Sequence, residues 1–206
     1  GRTGMSVAQA AAAGIDAESV VCVLDDKAHY YPGSGEFIIK LVAAREDQRL
    51  LGIQVLGKGA VDKMVDIAVT AITMKARLAD LANMDMAYAP PFSTAIHPFV
   101  AAVQILLNKL SGKLVSIGPA DFQAGKAEGY RILDVGMAPA VTGAPYLDFT
   151  ALPAGLEGIG KDEKLLLVCA KGKRAYLTQN RLRALGYANT VVLEGGTTVN
   201  GTELVK

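Results

Sequence analysis

Apolar residues recur at two different periods along the chain, and the change of pattern divides it. Residues 7–13 are alanine-rich, and Gly14 and Asp16 supply a stop, so a short leading helix is expected. Residues 19–24, 36–43 and 49–56 are rich in β-branched and large apolar side chains. The stretch Tyr31-Pro-Gly-Ser-Gly35 and the charged turn Arg45-Glu-Asp-Gln48 separate them, which predicts an antiparallel meander. Val61, Met64, Val65, Ala68, Val69 and Ile72 then repeat at helical spacing, with Asp62, Lys63, Asp66 and Thr70 on the opposite face. A further helical turn is expected over residues 78–81 and extended backbone at Ala89-Pro90-Pro91. Pro98 is placed to open a helix over residues 99–110 that Ser111-Gly112 closes. Strands followed by helices, without strict alternation, predict an α+β domain over residues 1–112 with an antiparallel sheet and flanking helices.

After a boundary placed between Gly112 and Gly118 the pattern changes. Residues 131–135 and 164–168 are short continuous apolar runs, of the kind buried on both faces of a parallel sheet. The second runs into Cys169 and a turn at Gly172. A helix is expected over residues 174–185, stopped by Gly186, then a strand over 190–193. The pair Gly195-Gly196 is expected to begin a tail cut short at Lys206. Residues 118–206 therefore read as a small, shortened α/β domain with a parallel sheet.

The 206 residues are half apolar and carry 21 basic against 20 acidic side chains, a formal charge of +1. With no basic block to track a phosphate backbone, nucleic acid is not an expected partner. The longest apolar runs fall short of the roughly 18 to 20 residues that span a bilayer, so no membrane anchor is expected. Cys22 and Cys169 are far apart and lie in strand-like runs, not in a closely spaced secreted framework; a reducing, cytoplasmic setting fits. Two histidines and two distant cysteines have no metal-ligand spacing, and no metal site is expected. The start Gly-Arg-Thr-Gly-Met lacks a secretory hydrophobic stretch and an initiating methionine, so the chain reads as a fragment of something longer.

The candidate chemistry lies in Cys169-Ala-Lys-Gly-Lys-Arg174. Ligands bind at the carboxyl ends of parallel strands, where a following helix points free amides at the site. Such amides, with the charges of Lys171, Lys173 and Arg174, favour a thiolate over a thiol. A thiolate attacks sulfane sulfur, and a ring of N–H donors would hold the resulting persulfide anion. The competing reading is a buried, inert cysteine at a strand end. Cys22, inside Val-Val-Cys-Val-Leu, is read as a buried structural thiol, and His97 as a helix-start residue.

Residues 165–176, with Arg183-Ala-Leu-Gly-Tyr187 and Val192-Leu-Glu-Gly-Gly196, resemble the active-site strand, loop, helix and closing glycines of the rhodanese family. The resemblance implies a Cys169 persulfide cradled by the backbone of Ala170, Lys171, Gly172, Lys173 and Arg174. Departures are Gly136 in place of the arginine usual after the early strand, Thr142 in place of a histidine, and too short a stretch before Gly143-Ala144 for the usual helix. Over residues 1–110, Lys27-Ala-His-Tyr-Tyr-Pro-Gly33, Leu51-Gly-Ile-Gln-Val-Leu-Gly57, Val61-Asp-Lys63 and Tyr88-Ala-Pro-Pro-Phe-Ser93 resemble the C-terminal dimerisation domain of pyridine nucleotide-disulfide oxidoreductases. The likeness is to the coenzyme A-disulfide reductase, NADH oxidase and persulfide reductase branch. That resemblance implies a homodimer, with Tyr30 and Tyr88 reaching the partner's redox cysteine, Tyr31 a competitor, and Ala89, Pro90 and Pro91 near the partner's flavin. It implies FAD and NAD(P)H in the whole enzyme, bound mainly by domains absent here, and a low-molecular-weight disulfide or persulfide substrate, coenzyme A among them. No Gly-x-Gly-x-x-Gly follows a strand in this chain. The rival reading is a non-catalytic dimerisation and docking module with a degenerate rhodanese domain.

Overall fold

A computed structural model describes residues 1–151 and 155–204, apart from the side chains of Ala151, Thr202 and Glu203. The chain forms two compact units, Gly1–Lys113 and Leu114–Lys206.

In the first unit the three predicted strands pair as a meander. β2 (Ala17–Asp25) is antiparallel to β3 (Glu36–Ala44), which is antiparallel to β4 (Leu50–Gly57). A fourth strand, β1 (Arg2–Gly4), adds antiparallel to β4, giving the order β1-β4-β3-β2. Three residues are too few to show a period, so β1 left no signal in the pattern. The leading helix α1 (Val7–Ala12) opens on a capping box between Ser6 and Gln9. Its Ala10 packs with Val42, Ala44 and Leu51 in a small cluster. The main core joins Val20, Cys22, Ile39, Leu41, Ile53 and Val55 of the sheet to Met64 and Ala68 of α2 (Val61–Thr73). Phe99, Val103 and Leu106 of α4 (Pro98–Leu110) complete it. The short α3 (Leu78–Leu81) contributes Leu78 and Leu81. Of the apolar positions that helical spacing marked in α2, Met64 and Ala68 are buried and Val61 and Ile72 pack against the core, whereas Val69 is exposed and Ala71 takes an inward place instead.

The segment Ala89-Pro90-Pro91 departs from expectation. The amides of Phe92 and Ser93 both donate to the Ala89 carbonyl, at 2.9 and 3.2 Å, so the backbone folds into a turn instead of running extended. Proline fixes φ near −65°, a value that serves turns as well as extended chain, and here the turn bonds decide.

The second unit is a parallel sheet of order β5-β8-β7-β6, built from β5 (Ser116–Ile117), β6 (Arg131–Asp134), β7 (Leu165–Val168) and β8 (Thr190–Leu193). Every residue of β7 and β8 is buried, as continuous apolar strands require. β5 and the five-residue α5 (Pro119–Gln123) are additions to the predicted set. α6 (Lys173–Ala184) begins one residue before its expected start and ends one before its expected end. The expected tail after Gly195 is instead a helix, α7 (Gly196–Leu204), whose glycine start hid it from a propensity reading. Buried Gln179 of α6 ties the sheet edge together. Its Nε2 donates to the carbonyls of Val115 and Thr190, and its Oε1 accepts from the Val115 amide.

Among the described residues no helix is long and apolar enough to cross a membrane. No group of three His, Cys, Asp or Glu among them could hold a metal ion.

Candidate functional site

Cys169 follows β7 directly, and its side chain is 2 % exposed. The amide of Gly172 donates to its Sγ at 3.1 Å. That bond requires a tight loop, here the four residues Cys169 to Gly172 between strand and helix. Gly172, the N-cap of α6, takes φ +98°, a conformation open chiefly to glycine. The amide at the mouth of α6 thus faces the sulfur, and the helix N-terminus adds its partial positive charge. On the outer side of the loop, the amides of Thr197 and Thr198 in α7 bind the carbonyls of Cys169 and Ala170, each at 3.0 Å. Gly196 brings α7 this close, because a Cβ there would collide with the Cys169 carbonyl oxygen.

The three cations of the loop have different environments. Lys173 is exposed in the first turn of α6, Lys171 is half-buried, and the Arg174 guanidinium lies 5.6 Å from the centre of the Phe149 ring. Arg181, on the same helix, donates to the Phe149 carbonyl at 2.5 Å. Two arginines of one helix therefore hold the turn Phe149–Ala151.

Beside this loop, β6 ends at Asp134, which is paired in register with Val168. The Asp134 carboxylate is buried and accepts three amides: Gly136 at 2.9 Å, Ala140 at 2.6 Å and Val141 at 3.0 Å. This carboxylate organises the short segment that stands where the resemblance implied a longer one. It also explains Gly136: a Cβ there would sit 3.0 Å from the Ala138 carbonyl oxygen and 3.1 Å from Asp134 Oδ1. Asp134 was not singled out in the sequence, although a lone carboxylate within Ile-Leu-Asp-Val was the available signal.

In the first unit, Tyr30 and Tyr88 are displayed to solvent, 71 % and 51 % exposed, and Tyr31 is half-buried. Tyr30 sits at the tip of the loop between β2 and β3, edge-on to the His29 ring at 5.5 Å. Tyr88 precedes the Ala89 turn. In that turn the Ala89 carbonyl is already occupied twice and Pro90 and Pro91 have no N–H, so the groups left for a ligand are the Ala89 amide and the proline carbonyls. His97 is buried and caps α4, its Nδ1 accepting the Phe99 amide at 3.2 Å. Burial, and then the nearby Lys63 charge, lower its pKa to about 4. Cys22 is buried against the Ile39 carbonyl, as a structural thiol would be.

Comparison with known proteins agrees with this layout. Residues 1–99 match the family described as pyridine nucleotide-disulphide oxidoreductase, dimerisation domain, and residues 119–199 match the rhodanese-like domain. The chain is 34 % identical over 106 residues to an NAD(P)H sulfur oxidoreductase (CoA-dependent) of Pyrococcus furiosus, which is 52 % of this chain and 24 % of that protein. A NAD-dependent persulfide reductase from A. fulgidus superposes with a TM-score of 0.87 at 30 % identity, over 96 % of this chain and 36 % of that one. The reduced CoADR-RHD of Bacillus anthracis also gives 0.87, at 25 % identity, over 100 % of this chain and 38 % of that one. The chain therefore carries a pyridine nucleotide-disulphide oxidoreductase dimerisation domain followed by a rhodanese-like domain.

Proposed function

We propose that this chain is the C-terminal part of a disulfide or persulfide reductase in which Cys169 carries sulfane sulfur as a persulfide. The observation that carries this reading is the Gly172 amide directed at Cys169 Sγ from the start of α6. The Cys169 thiolate attacks the outer sulfur of a donor such as thiosulfate; the S–S bond breaks, sulfite leaves with the bonding pair, and a cysteine persulfide remains. An acceptor thiolate then attacks the terminal sulfur, forming its own persulfide and returning the Cys169 thiolate. The loop amides stabilise negative charge on sulfur in both states.

In the whole protein, FAD and NAD(P)H would supply the electrons that reduce the disulfide or persulfide. This chain would contribute a homodimer interface, the exposed phenols of Tyr30 and Tyr88 as hydrogen-bond or proton donors to a departing thiolate, and the rigid turn Ala89-Pro90-Pro91 beside the flavin. A substrate of the coenzyme A class is supported by the CoA-dependent name of the Pyrococcus furiosus relative.

The test is to treat the protein with thiosulfate or with polysulfide and to measure the mass of the peptide containing Cys169. Added sulfur at Cys169, absent from Cys169→Ser, is the expected result. An unmodified Cys169 with both donors would overturn the relay and favour a dimerisation and docking module. The near-complete burial of the thiol makes that second outcome a specific one.

A further inference from the structure

Three of the sequence segments that carry the dimerisation-domain resemblance converge on one pocket that the sulfur chemistry does not use. Asp26 and Lys27 at the end of β2, Gly59, Ala60, Lys63 and Met64 at the start of α2, and Pro91, Phe92, His97 and Pro98 before α4 line it, with Phe37 behind. Its volume is about 170 Å³.

The polar groups in this pocket are chiefly donors. His97 is 6 % exposed, and its Nδ1 accepts the Phe99 amide. Since Nδ1 is an acceptor and the ring is neutral above pH 4, the ring proton resides on Nε2. No hydrogen bond to that Nε2–H is found among the described residues. That Nε2–H opens to the pocket, where an acceptor from outside the chain can meet it. Lys63 stands close enough to His97 to depress its protonation, and among the described residues it has no ion-pair partner. The 13-residue α2 opens at Ala60 without a side-chain cap; the Val61 amide is taken by the Gly59 carbonyl and that of Met64 by the Ala60 carbonyl, which leaves the amides of Asp62 and Lys63 at the helix N-terminus, beside the exposed Asp62 carboxylate. The one carboxylate present, Asp26, is engaged by the Gly35 amide at 2.6 Å and by Lys27 at 3.6 Å. The remaining walls are apolar.

From this arrangement we infer an oxyanion-binding site, in which Lys63, the His97 Nε2–H and the α2 N-terminus hold the phosphate or carboxylate group of a small ligand between Phe37 and Phe92. The tetrahedral and planar oxyanions share this chemistry; two probes separate them. The site lies wholly in the first unit and needs neither cysteine.

Inorganic phosphate and acetate are titrated separately into the 206-residue chain at neutral pH, with binding followed by calorimetry and by the rise in melting temperature. Saturable binding of at least one is expected by about 50 mM. Lys63→Gln should weaken it about ten-fold, as loss of a charged donor does, and Lys63→Arg should largely retain it. His97→Asn keeps an acceptor for the Phe99 amide while removing the Nε2–H. It should weaken binding with no loss of melting temperature in the ligand-free protein at neutral pH. No saturation with either anion, or binding unaltered in folded Lys63→Gln, would overturn the inference.

Discussion

Asp26 and Gly35 are bonded to each other twice, through the Asp26 amide to the Gly35 carbonyl at 3.0 Å and the Gly35 amide to Asp26 Oδ1 at 2.6 Å. The double bond pinches the base of the loop whose tip is Tyr30. The position of an exposed phenol is thereby set by a buried carboxylate four residues earlier in the chain.

Replacing Asp26 by Ala removes an acceptor from a nearly buried amide. A loss of about 1–3 kcal/mol in urea unfolding is expected, with the loop of Tyr30 and Tyr31 exchanging amide protons faster than in the parent. A variant as stable and as protected as the parent would show that the β2–β3 ladder alone fixes the loop.

The second unit has its counterpart in Asp134. Asp134→Asn places an amide group where two or more N–H donors converge, so destabilisation of about 2–4 kcal/mol is expected. Sulfur loading of Cys169 should fall along with it, because the segment 136–141 begins beside the cysteine loop. Equilibrium unfolding and the mass assay measure the two effects separately.

Gly172→Ala forces a side chain into φ +98°. The strain costs about 1–2 kcal/mol, and any relaxation of the loop turns the amide away from Cys169 Sγ. Slower sulfur transfer to Cys169 in a folded variant is the expected readout, and unchanged kinetics would show that this amide does not assist the step.

For His97 the direction with pH follows from its lowered pKa of about 4 against an ordinary 6.5. Between these values the unfolded chain binds a proton that the folded chain refuses, so stability falls as pH drops from 6.5 to 4 and levels off below. The loss from this residue is up to about 3 kcal/mol. His97→Asn should flatten that part of the stability profile while the carboxylates keep their own slopes.

The elements that the sequence revealed include those long enough to show a period, such as β2, β3, β4, α2 and α4, and shorter ones marked by apolar runs or stop signals, such as α1, α3, β6, β8 and the strand–loop–helix around Cys169. What escaped was short or glycine-started, as with β1, β5 and α7, where pairing and docking partners supply what local propensity lacks. The turn at Ala89 was misread because proline constrains φ without choosing between turn and strand. Within the sites, Cys169, Tyr30 and Tyr88 carried visible chemistry. Asp26 and Asp134 did not, since a carboxylate's role as a backbone acceptor depends on which amides the fold brings to it. The same holds for the unpartnered Nε2–H of His97, which becomes apparent only once its other nitrogen is seen to be occupied.

The bonds from Thr197 and Thr198 to the carbonyls of Cys169 and Ala170 bear on more than the docking of α7. A carbonyl oxygen turned inward would repel a persulfide anion, and an amide plane can turn only as a whole. By engaging those two oxygens, α7 would act as an electrostatic shutter for the persulfide proposed at Cys169, and a loop that came loose from it would lose its polarity before it lost its shape.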